Sequence, residues 1–273
     1  MQKYSIFNLI KNALSNHQKW DLAWKDPTPK KEYDVVIIGG GGHGLATAYY
    51  LAKEHNITNV AIIEKGWIGG GNVGRNTTII RSNYMHDDNA LFSEFGMDLW
   101  RKMSQDLNYN VMFSPRGIIN LAHSDAQMNV YARRGNSMRL NGIDAELLNR
   151  EQVREIIPMA DFSENVRFPI FGGLMQPSAG TARHDAVAWG YARQADSMGV
   201  DIIQNCEVIG FDISGGKVEG VRTSRGDIKV KKIGLCVAGS TNILADKLNM
   251  TLPVETHLLQ ACVSEPVKPV LDK

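Results

Sequence analysis

The stretch Tyr33-Asp-Val-Val-Ile-Ile-Gly-Gly-Gly-Gly-His-Gly-Leu-Ala-Thr-Ala-Tyr-Tyr-Leu-Ala-Lys53 decides the fold of this 273-residue chain. It opens with a short, unbroken apolar run, which is typical of a strand buried on both faces of a parallel sheet. A glycine-rich turn follows, and after it alanines and leucines recur on one stripe at helical spacing. The stretch therefore predicts a strand that ends at Ile38, a turn over 39–44 and a helix over 45–55.

A second strand, Asn59-Val-Ala-Ile-Ile-Glu64, completes a βαβ unit, whose crossover we expect to be right-handed. Within the turn, Gly39, Gly41 and Gly44 have the G-x-G-x-x-G spacing of dinucleotide-binding folds. The first glycine permits the tight turn, the second lets the backbone approach a diphosphate, and the third allows close helix–strand packing. Amides at the helix N-terminus favour a diphosphate, and Glu64 can accept the hydroxyls of a ribose. A glycine turn without a ligand is the alternative interpretation.

The glycine motif leaves FAD and NAD open, but the loop after the second strand favours FAD. Lys65-Gly-Trp-Ile-Gly-Gly-Gly-Asn-Val-Gly-Arg-Asn-Thr-Thr78 is a run of glycines and amides that could wrap the diphosphate and ribityl chain of a flavin. Loops of this length are usually functional or disordered, and NAD enzymes seldom need one at this position. A flexible surface loop and a plain NAD-dependent dehydrogenase are the alternatives.

Two side chains outside the βαβ unit are candidates for chemistry. His184 stands at the start of a predicted helix, where the helix dipole and Arg183 should keep its imidazole neutral. A neutral imidazole could act as a base, ligate a metal, attack an electrophilic flavin methyl group, or only make a structural hydrogen bond. Arg81 ends a short apolar segment and could bind a substrate carboxylate or form an ordinary salt bridge. No second histidine or carboxylate stands at metal-ligand spacing, so we predict no metal site.

Composition excludes several classes of protein. The formal net charge of +1 gives no electrostatic case for nucleic acid or for a membrane surface. No apolar stretch approaches the ~20 residues that span a bilayer, and no signal peptide is visible. The cysteines, Cys206, Cys236 and Cys262, are scattered, which fits a reducing compartment and argues against a disulfide framework. We expect a soluble, cytoplasmic protein without nucleic-acid or membrane partners.

The rest of the chain predicts a second part built on a mixed sheet. We expect helices at 88–107, 125–141, 151–157 and 185–198, a strand pair at 111–122, strand and turn at 166–180, an antiparallel meander over 200–230, a strand at 233–238 and the opening of a further sheet at 254–263. The fold class is therefore α/β, with a Rossmann-like FAD-binding βαβ domain interleaved with a mixed-sheet substrate domain.

This interpretation divides the chain into five segments. They are an N-terminal arm (1–32), the first part of the FAD-binding domain (33–110), a substrate domain with interleaved FAD-domain segments (111–232), an FAD-domain strand and loop (233–250), and the start of a second substrate-domain segment (251–273). Because the second domain should need further strands to close, we expect the chain to be truncated at its C-terminus.

Several stretches together resemble a known family. Besides residues 33–53, they are Glu64-Lys-Gly-Trp-Ile-Gly-Gly-Gly-Asn72, Arg75-Asn-Thr-Thr-Ile-Ile-Arg-Ser-Asn-Tyr84 and Ala182-Arg-His-Asp185. They are similar to the β subunits of heterotetrameric sarcosine oxidases, within the wider D-amino-acid-oxidase-like flavoproteins. The resemblance implies noncovalent FAD, at which sarcosine is oxidised, and a covalent FMN that passes electrons to oxygen. It also implies partner α, γ and δ subunits, and tetrahydrofolate at a partner subunit.

The resemblance also assigns site residues. It places covalent FMN on His184 and a contact to FMN at His257, and Arg81 matches a substrate-carboxylate arginine of related monomeric enzymes. The expected FAD-binding residues are Gly39, Gly41, Gly42, His43, Gly44, Glu64, Lys65, Asn72, Arg75, Thr77, Thr78, Ile80, Val208 and Gly239. Family β subunits run well past residue 273, which adds to the expectation of truncation. Another secondary-amine or amino-acid oxidase or dehydrogenase, or a truncated non-catalytic subunit, is the alternative.

Overall fold

A computed structural model describes residues 6–18 and 22–260, and also residues 262, 265, 267 and 268. Parts of the predicted arm (1–5 and 19–21) and most of 261–273 lie outside the described residues. None of the helices within the described ranges is long and apolar enough to cross a membrane.

The helices and strands follow each other along the chain in an α/β pattern. The helices are α1 (Ile6–Leu14), α2 (Gly42–His55), α3 (Asp87–Asp106), α4 (Asp125–Leu140), α5 (Arg150–Ile156), α6 (His184–Ser197) and α7 (Thr241–Asp246), with 3-10 turns at Val73–Arg75 and Ala238–Ser240. The strands are β1 (Glu32–Ile38), β2 (Val60–Ile63), β3 (Ile79–Ile80), β4 (Ile118–Ala122), β5 (Glu146–Asn149), β6 (Gly172–Gln176), β7 (Gly180–Thr181), β8 (Asp201–Ile203), β9 (Val208–Ser214), β10 (Lys217–Thr223) and β11 (Gly226–Leu235). The predicted α/β class is confirmed.

Contacts between Cα atoms divide the chain into two compact units. The first contains the described residues of Met1–Asn76, Leu107–Tyr109 and His184–Gln260. The second contains Thr77–Asp106 and Asn110–Arg183, together with the described residues of 261–273. Each unit is therefore built from more than one segment of the chain.

The first unit is built on a six-stranded mixed sheet of order β8-β2-β1-β11-β10-β9. Strand β1 pairs in parallel with β2 on one side and with β11 on the other, which confirms the predicted βαβ unit. All four residues of β2 are buried, as expected for a central parallel strand. Some of the apolar side chains of β1, β2, β9, β10 and β11 share one core cluster, which includes Tyr33, Val36, Ile63 and Val221.

Two strand predictions in this sheet are wrong. Residues 200–203 do not join the meander, because β8 pairs in parallel with β2 at the other edge of the sheet. The predicted strands at 228–230 and 233–238 are one strand, β11, which pairs with both β10 and β1. The two lysines between them are exposed and remain in the strand, and the ammonium group of Lys231 contacts the carboxylate of Asp34 at 2.6 Å.

Two residues of the predicted arm, Lys25 and Asp26, are hydrogen-bonded to later segments of the first unit. The main-chain amide of Lys25 donates to the carboxylate of Asp196 in α6 at 3.0 Å. The carboxylate of Asp26 accepts from the amide of Gln204 at 3.1 Å and from the guanidinium of Arg225 at 3.0 Å. Side-chain and main-chain bonds thus hold residues 25 and 26 against α6 and the turns that follow β8 and β10.

The second unit contains a three-stranded antiparallel sheet of order β4-β6-β5 and the short antiparallel pair β3–β7. Helix α4 packs Met138 against Leu174 of β6, and helix α5 packs Val153 into a cluster with Leu148 and Ile170. The predicted strand pair at 111–122 is wrong in its first half, where only Ser114 forms an isolated bridge, to Thr181. Pro115 has no amide hydrogen with which to continue a ladder.

The prediction of a further sheet at 254–263 is wrong for residues 254–260, which carry neither helix nor strand. The main-chain oxygen of Val254 instead accepts a bond from the side chain of Asn242 at 2.6 Å. Residue 261 and residues 263–264 lie outside the described ranges.

We expect Gly44→Ala to lower the free energy of unfolding by about 1–3 kcal/mol, because overpacking of this size requires the backbone to shift. A Cβ atom at this position would lie 2.0 Å from the main-chain oxygen of Gly39. Gly96→Ala, in the interior of α3, is the matched control, because nothing lies within 4 Å of its added Cβ. That control should raise stability by about 0.5–1 kcal/mol. Equal effects of the two substitutions in urea denaturation would show that the contact between Gly39 and Gly44 does not require glycine.

Candidate functional site

The turn between β1 and α2 depends on two glycines. Gly39 has φ +109°, and a Cβ atom there would lie 2.3 Å from the main-chain oxygen of Cys236, the residue after β11. Gly44 brings the first turn of α2 against Gly39, so closely that no side chain fits between them. These contacts match the roles expected for the first and third glycines of the motif: a tight turn and close helix–strand packing.

The start of α2 is open to a ligand. Gly41 is the N-cap residue, and its helix end has no side-chain cap. Cβ atoms added to Gly41 and Gly42 would meet only the methyl group of Val73, at 3.8 and 3.5 Å. The first-turn amides and the helix dipole therefore face a space where an anionic group can approach the backbone.

Glu64 lies beside this turn, directly after β2. Its Oε2 accepts a hydrogen bond from the amide of Gly40 at 2.7 Å, and its Oε1 accepts one from the amide of Gly66 at 2.8 Å. Each carboxylate oxygen can accept a second bond. Glu64 therefore connects the glycine turn to the following loop and keeps acceptor capacity for ribose hydroxyls.

The loop after β2 folds back on the glycine turn. The amide of Gly69 donates to the main-chain oxygen of Gly40 at 2.9 Å. The guanidinium of Arg75 donates to the main-chain oxygens of Gly70 and, at 3.1 Å, of Gly71. The bond from Gly69 joins the loop to the glycine turn, whereas the bonds of Arg75 lie within the loop itself. A loop that wraps a flavin stays a prediction. The side chains of Lys65 and Asn72 are exposed in this loop.

The other expected FAD residues are divided between the two units. Val208 begins β9 with its side chain in the core, and Gly239 lies in a 3-10 turn, where its oxygen accepts from the hydroxyl of Thr256 at 3.1 Å. His43 is in the first turn of α2. The remaining three, Thr77, Thr78 and Ile80, belong to the second unit. Their contacts with a flavin stay a prediction.

His184 is the first residue of α6, and its Nδ1 atom is buried without a hydrogen-bond partner among the described residues. A buried unpaired ring nitrogen is unusual, since most buried polar atoms find a partner. His257 is exposed in the irregular segment after α7. Within the described ranges, no group of three or more His, Cys, Asp or Glu side chains could hold a metal ion.

Arg81 lies in the second unit, directly after β3. Its Nη1 donates to Oδ1 of Asn83 at 2.6 Å, and its guanidinium carbon is 5.3 Å from the centre of the Tyr84 ring. The salt-bridge alternative is not supported, because no described carboxylate lies within ion-pair distance of Arg81. Arg81 lines an open groove of about 310 Å³ with β3 and apolar residues of α3, among them Phe92, Phe95 and Trp100.

The surroundings of Arg81 contain two buried polar residues, Asn83 and Gln176, that were not candidates from the sequence. Asn83 is fully buried, and it accepts bonds from Arg134 of α4 as well as from Arg81. Gln176 of β6 is also fully buried and donates to the hydroxyl of Ser82 at 2.7 Å. No local pattern could have identified this arrangement, because Arg134 lies 51 positions from Asn83 and Ser82 lies 94 positions from Gln176.

A glycine turn that leads into an uncapped helix, beside an acid at the end of the second strand, defines a dinucleotide-binding protein of the Rossmann type. Residues 34–272 match the family model described as DAO, FAD dependent oxidoreductase, and the chain belongs to this family. The family indicates FAD as the nucleotide, in agreement with the prediction from the loop after β2.

Curated relatives give a closer comparison. The chain is 58% identical over 270 residues to sarcosine oxidase subunit beta of Rhizobium meliloti (strain 1021), a match that covers 99% of this chain and 65% of the relative. It is 52% identical over 272 residues to the subunit of the same name in Rhodobacter capsulatus, covering 100% of this chain and 66% of the relative. The chain thus spans just under two thirds of the length of these relatives.

Solved structures give the same fold. L-proline dehydrogenase from P. horikoshii matches with a TM-score of 0.75 and 26% identity, over 81% of this chain and 57% of that chain. Glycine oxidase from Bacillus cereus matches with a TM-score of 0.68 and 24% identity, over 78% and 57% of the two chains, and shows the fold alone.

We expect Glu64→Ala to weaken FAD binding by at least about tenfold, because it removes an acceptor for ribose and leaves the amides of Gly40 and Gly66 without their partner. Equilibrium dialysis of the apoprotein against FAD measures the effect. Glu54→Ala removes an exposed carboxylate at the end of α2 and should leave FAD affinity unchanged. Equal affinities for FAD in the two variants would show that Glu64 does not contribute to FAD binding.

Proposed function

We propose that this chain is the FAD-binding part of a sarcosine oxidase. The reaction is oxidative demethylation of sarcosine to glycine, with electrons passing from FAD to FMN and then to oxygen, which yields hydrogen peroxide. With tetrahydrofolate, the one-carbon unit leaves as 5,10-methylenetetrahydrofolate. The observation that carries the proposal is the open glycine turn with Glu64, in a chain 58% identical to a sarcosine oxidase subunit beta.

The same comparison supports a proposal about the assembly. The relatives are named as beta subunits, which supports a multi-subunit enzyme. We propose α, γ and δ subunits as the partners, with tetrahydrofolate bound in one of them. A cytoplasmic location, expected from the scattered cysteines, belongs to the same proposal.

FAD, when bound, would accept the hydride of the amine, and the protein would supply binding and orientation. The amides at the start of α2 would hold the diphosphate, and Glu64 would hold the ribose. Arg81 would bind the substrate carboxylate, since a guanidinium can donate two parallel hydrogen bonds to a carboxylate. The apolar side chains of the groove beside Arg81 would exclude water from the methyl group of the substrate.

His184 is the residue we propose for covalent attachment of FMN, with His257 as a second contact. The Nδ1 atom of His184 supports this role, because no described group binds it. If the ring proton is on Nε2, the lone pair of Nδ1 could form a covalent bond to the flavin.

A second candidate substrate is a different secondary amine or amino acid. The structural similarity to L-proline dehydrogenase favours it, because that enzyme is named for a cyclic secondary amine. A non-catalytic role for the chain is the third possibility, and it predicts that no amine reduces the flavin.

We expect anaerobic addition of sarcosine to bleach the flavin absorbance of the chain purified with its partner subunits. Proline and glycine at the same concentration should do so at least about tenfold more slowly, because enzyme sites discriminate between similar substrates by differences of this order. Faster bleaching by proline would favour the second candidate. No bleaching by any amine, in a protein that retains flavin, would favour the non-catalytic role.

We expect His184→Ala to abolish the flavin that stays with the protein after acid precipitation, because the attachment atom is removed. His123→Ala is the matched control, since the Nδ1 atom of His123 already contacts the main-chain oxygen of Pro169 at 3.1 Å. Absorbance of the washed precipitate measures the covalent flavin. Retention of covalent flavin in His184→Ala would rule out this attachment site.

A further inference from the structure

The buried side chain of Asn83 lies between two arginines of the second unit. Its Oδ1 accepts hydrogen bonds from Nη1 of Arg81 at 2.6 Å and from Nη2 of Arg134 at 3.0 Å. Its main-chain oxygen also accepts two bonds from Arg134, one of them from Nε at 2.5 Å. One residue thus holds both guanidinium groups in place.

Further contacts fix the orientation of Asn83. Its Nδ2 donates to Oδ1 of Asn120 in β4 at 2.7 Å, so its Oδ1 is the atom that faces the arginines. The preceding residue, Ser82, donates its amide to Oε1 of Gln176 at 3.1 Å and its hydroxyl to Glu94 at 2.6 Å. These bonds hold the backbone that carries Asn83, so the orientation of Arg81 is set before any ligand arrives.

The two guanidinium groups have no balancing charge among the described residues. Asn83 is neutral, and in the part of the chain that the structure describes no carboxylate lies within ion-pair distance of Arg81 or Arg134. Burial of Arg134, and next the charge of Arg81, lowers the pKa of Arg134. Arginine nevertheless stays protonated in proteins, so both groups keep their charge and favour an anion nearby.

The two arginines occupy different positions relative to the groove. Arg81 lines it, together with apolar residues of β3 and α3, whereas Arg134 does not. Arg81 uses Nη1 for Asn83, and no hydrogen bond within the described ranges uses its remaining donors, which could bind a carboxylate. Arg134 can act on such a ligand only through its charge and through Asn83.

We propose that Asn83 is the positioning residue for Arg81 and that Arg134 adds positive potential behind it, so that the groove selects small monocarboxylates over neutral analogues. The inference rests on the proposed function, because the carboxylate in question is that of the amino-acid substrate. It extends that function by assigning roles to Asn83 and Arg134, neither of which was a candidate from the sequence.

The test compares acetate with acetamide, its neutral analogue, on the flavin-loaded protein with its partner subunits. Dissociation constants come from ligand-observed NMR titration, which does not require turnover. Asn83→Asp should lower the ratio of acetate affinity to acetamide affinity at least about tenfold, because a carboxylate at residue 83 would pair with Arg81 and compete with the ligand. Asn136→Asp introduces the same charge at an exposed position of α4 and should leave the ratio unchanged.

A second variant keeps the test valid if Asn83→Asp does not fold. Arg134→Gln removes the second cation and should lower the same ratio about threefold, through a charge that is distant from the ligand. Arg133→Gln, at the exposed neighbouring position of α4, is its control. In both test variants, the KM for sarcosine should rise by the same factor as the acetate dissociation constant, with a smaller change in kcat.

The outcomes separate the two proposals. Unchanged ratios in the variants that fold, or equal losses of acetate and acetamide, would overturn the roles of Asn83 and Arg134. If the ratios fall as expected but sarcosine does not reduce the flavin of the unmodified protein, the carboxylate site stands and sarcosine oxidation fails. If sarcosine reduces the flavin and the ratios do not change, the proposed function stands and this inference fails.

Discussion

The close approach of three backbone segments at Gly39 is the constraint on which the nucleotide site depends. The chain leaves β1, passes the main-chain oxygen of Cys236 and enters α2, whose Gly44 packs on Gly39. A Cβ atom at Gly39 or Gly44 would overlap a main-chain oxygen, so the turn keeps this geometry only with glycine at both positions, and any other residue forces the backbone to shift. The parallel pairing of β1 with β2 and β11 holds this turn at the carboxyl end of the sheet, where α/β folds bind ligands.

Glu64 connects this turn to the loop that follows β2. Its two carboxylate oxygens accept amides from Gly40 and Gly66, and the amide of Gly69 bonds back to Gly40. These bonds hold the glycine turn and the loop after β2 together before a ligand binds. A preorganised site loses less conformational entropy on binding, which favours tight binding of a cofactor.

In the second unit, a buried network of polar side chains, and not a backbone turn, positions the candidate functional residue. Ser82, Asn83 and Gln176 are fully buried, and each of them makes side-chain hydrogen bonds. Satisfied networks of this kind specify a single arrangement, since an unpaired member would be costly in a low-dielectric interior. Here the network holds Arg81 at the edge of an apolar groove and leaves two positive charges without a counterion among the described residues.

The sequence by itself determined β1, the glycine turn, α2, β2 and the position of Glu64, because strand and helix periodicity and glycine spacing are local properties of the chain. It also favoured FAD through the length and composition of the loop after β2. Only the tertiary structure decided that β8 pairs with β2, that β11 is one continuous strand, and that Asn83 joins Arg81 to Arg134. Strand partners and buried polar contacts depend on which distant segments meet, and local periodicity carries no information about that choice.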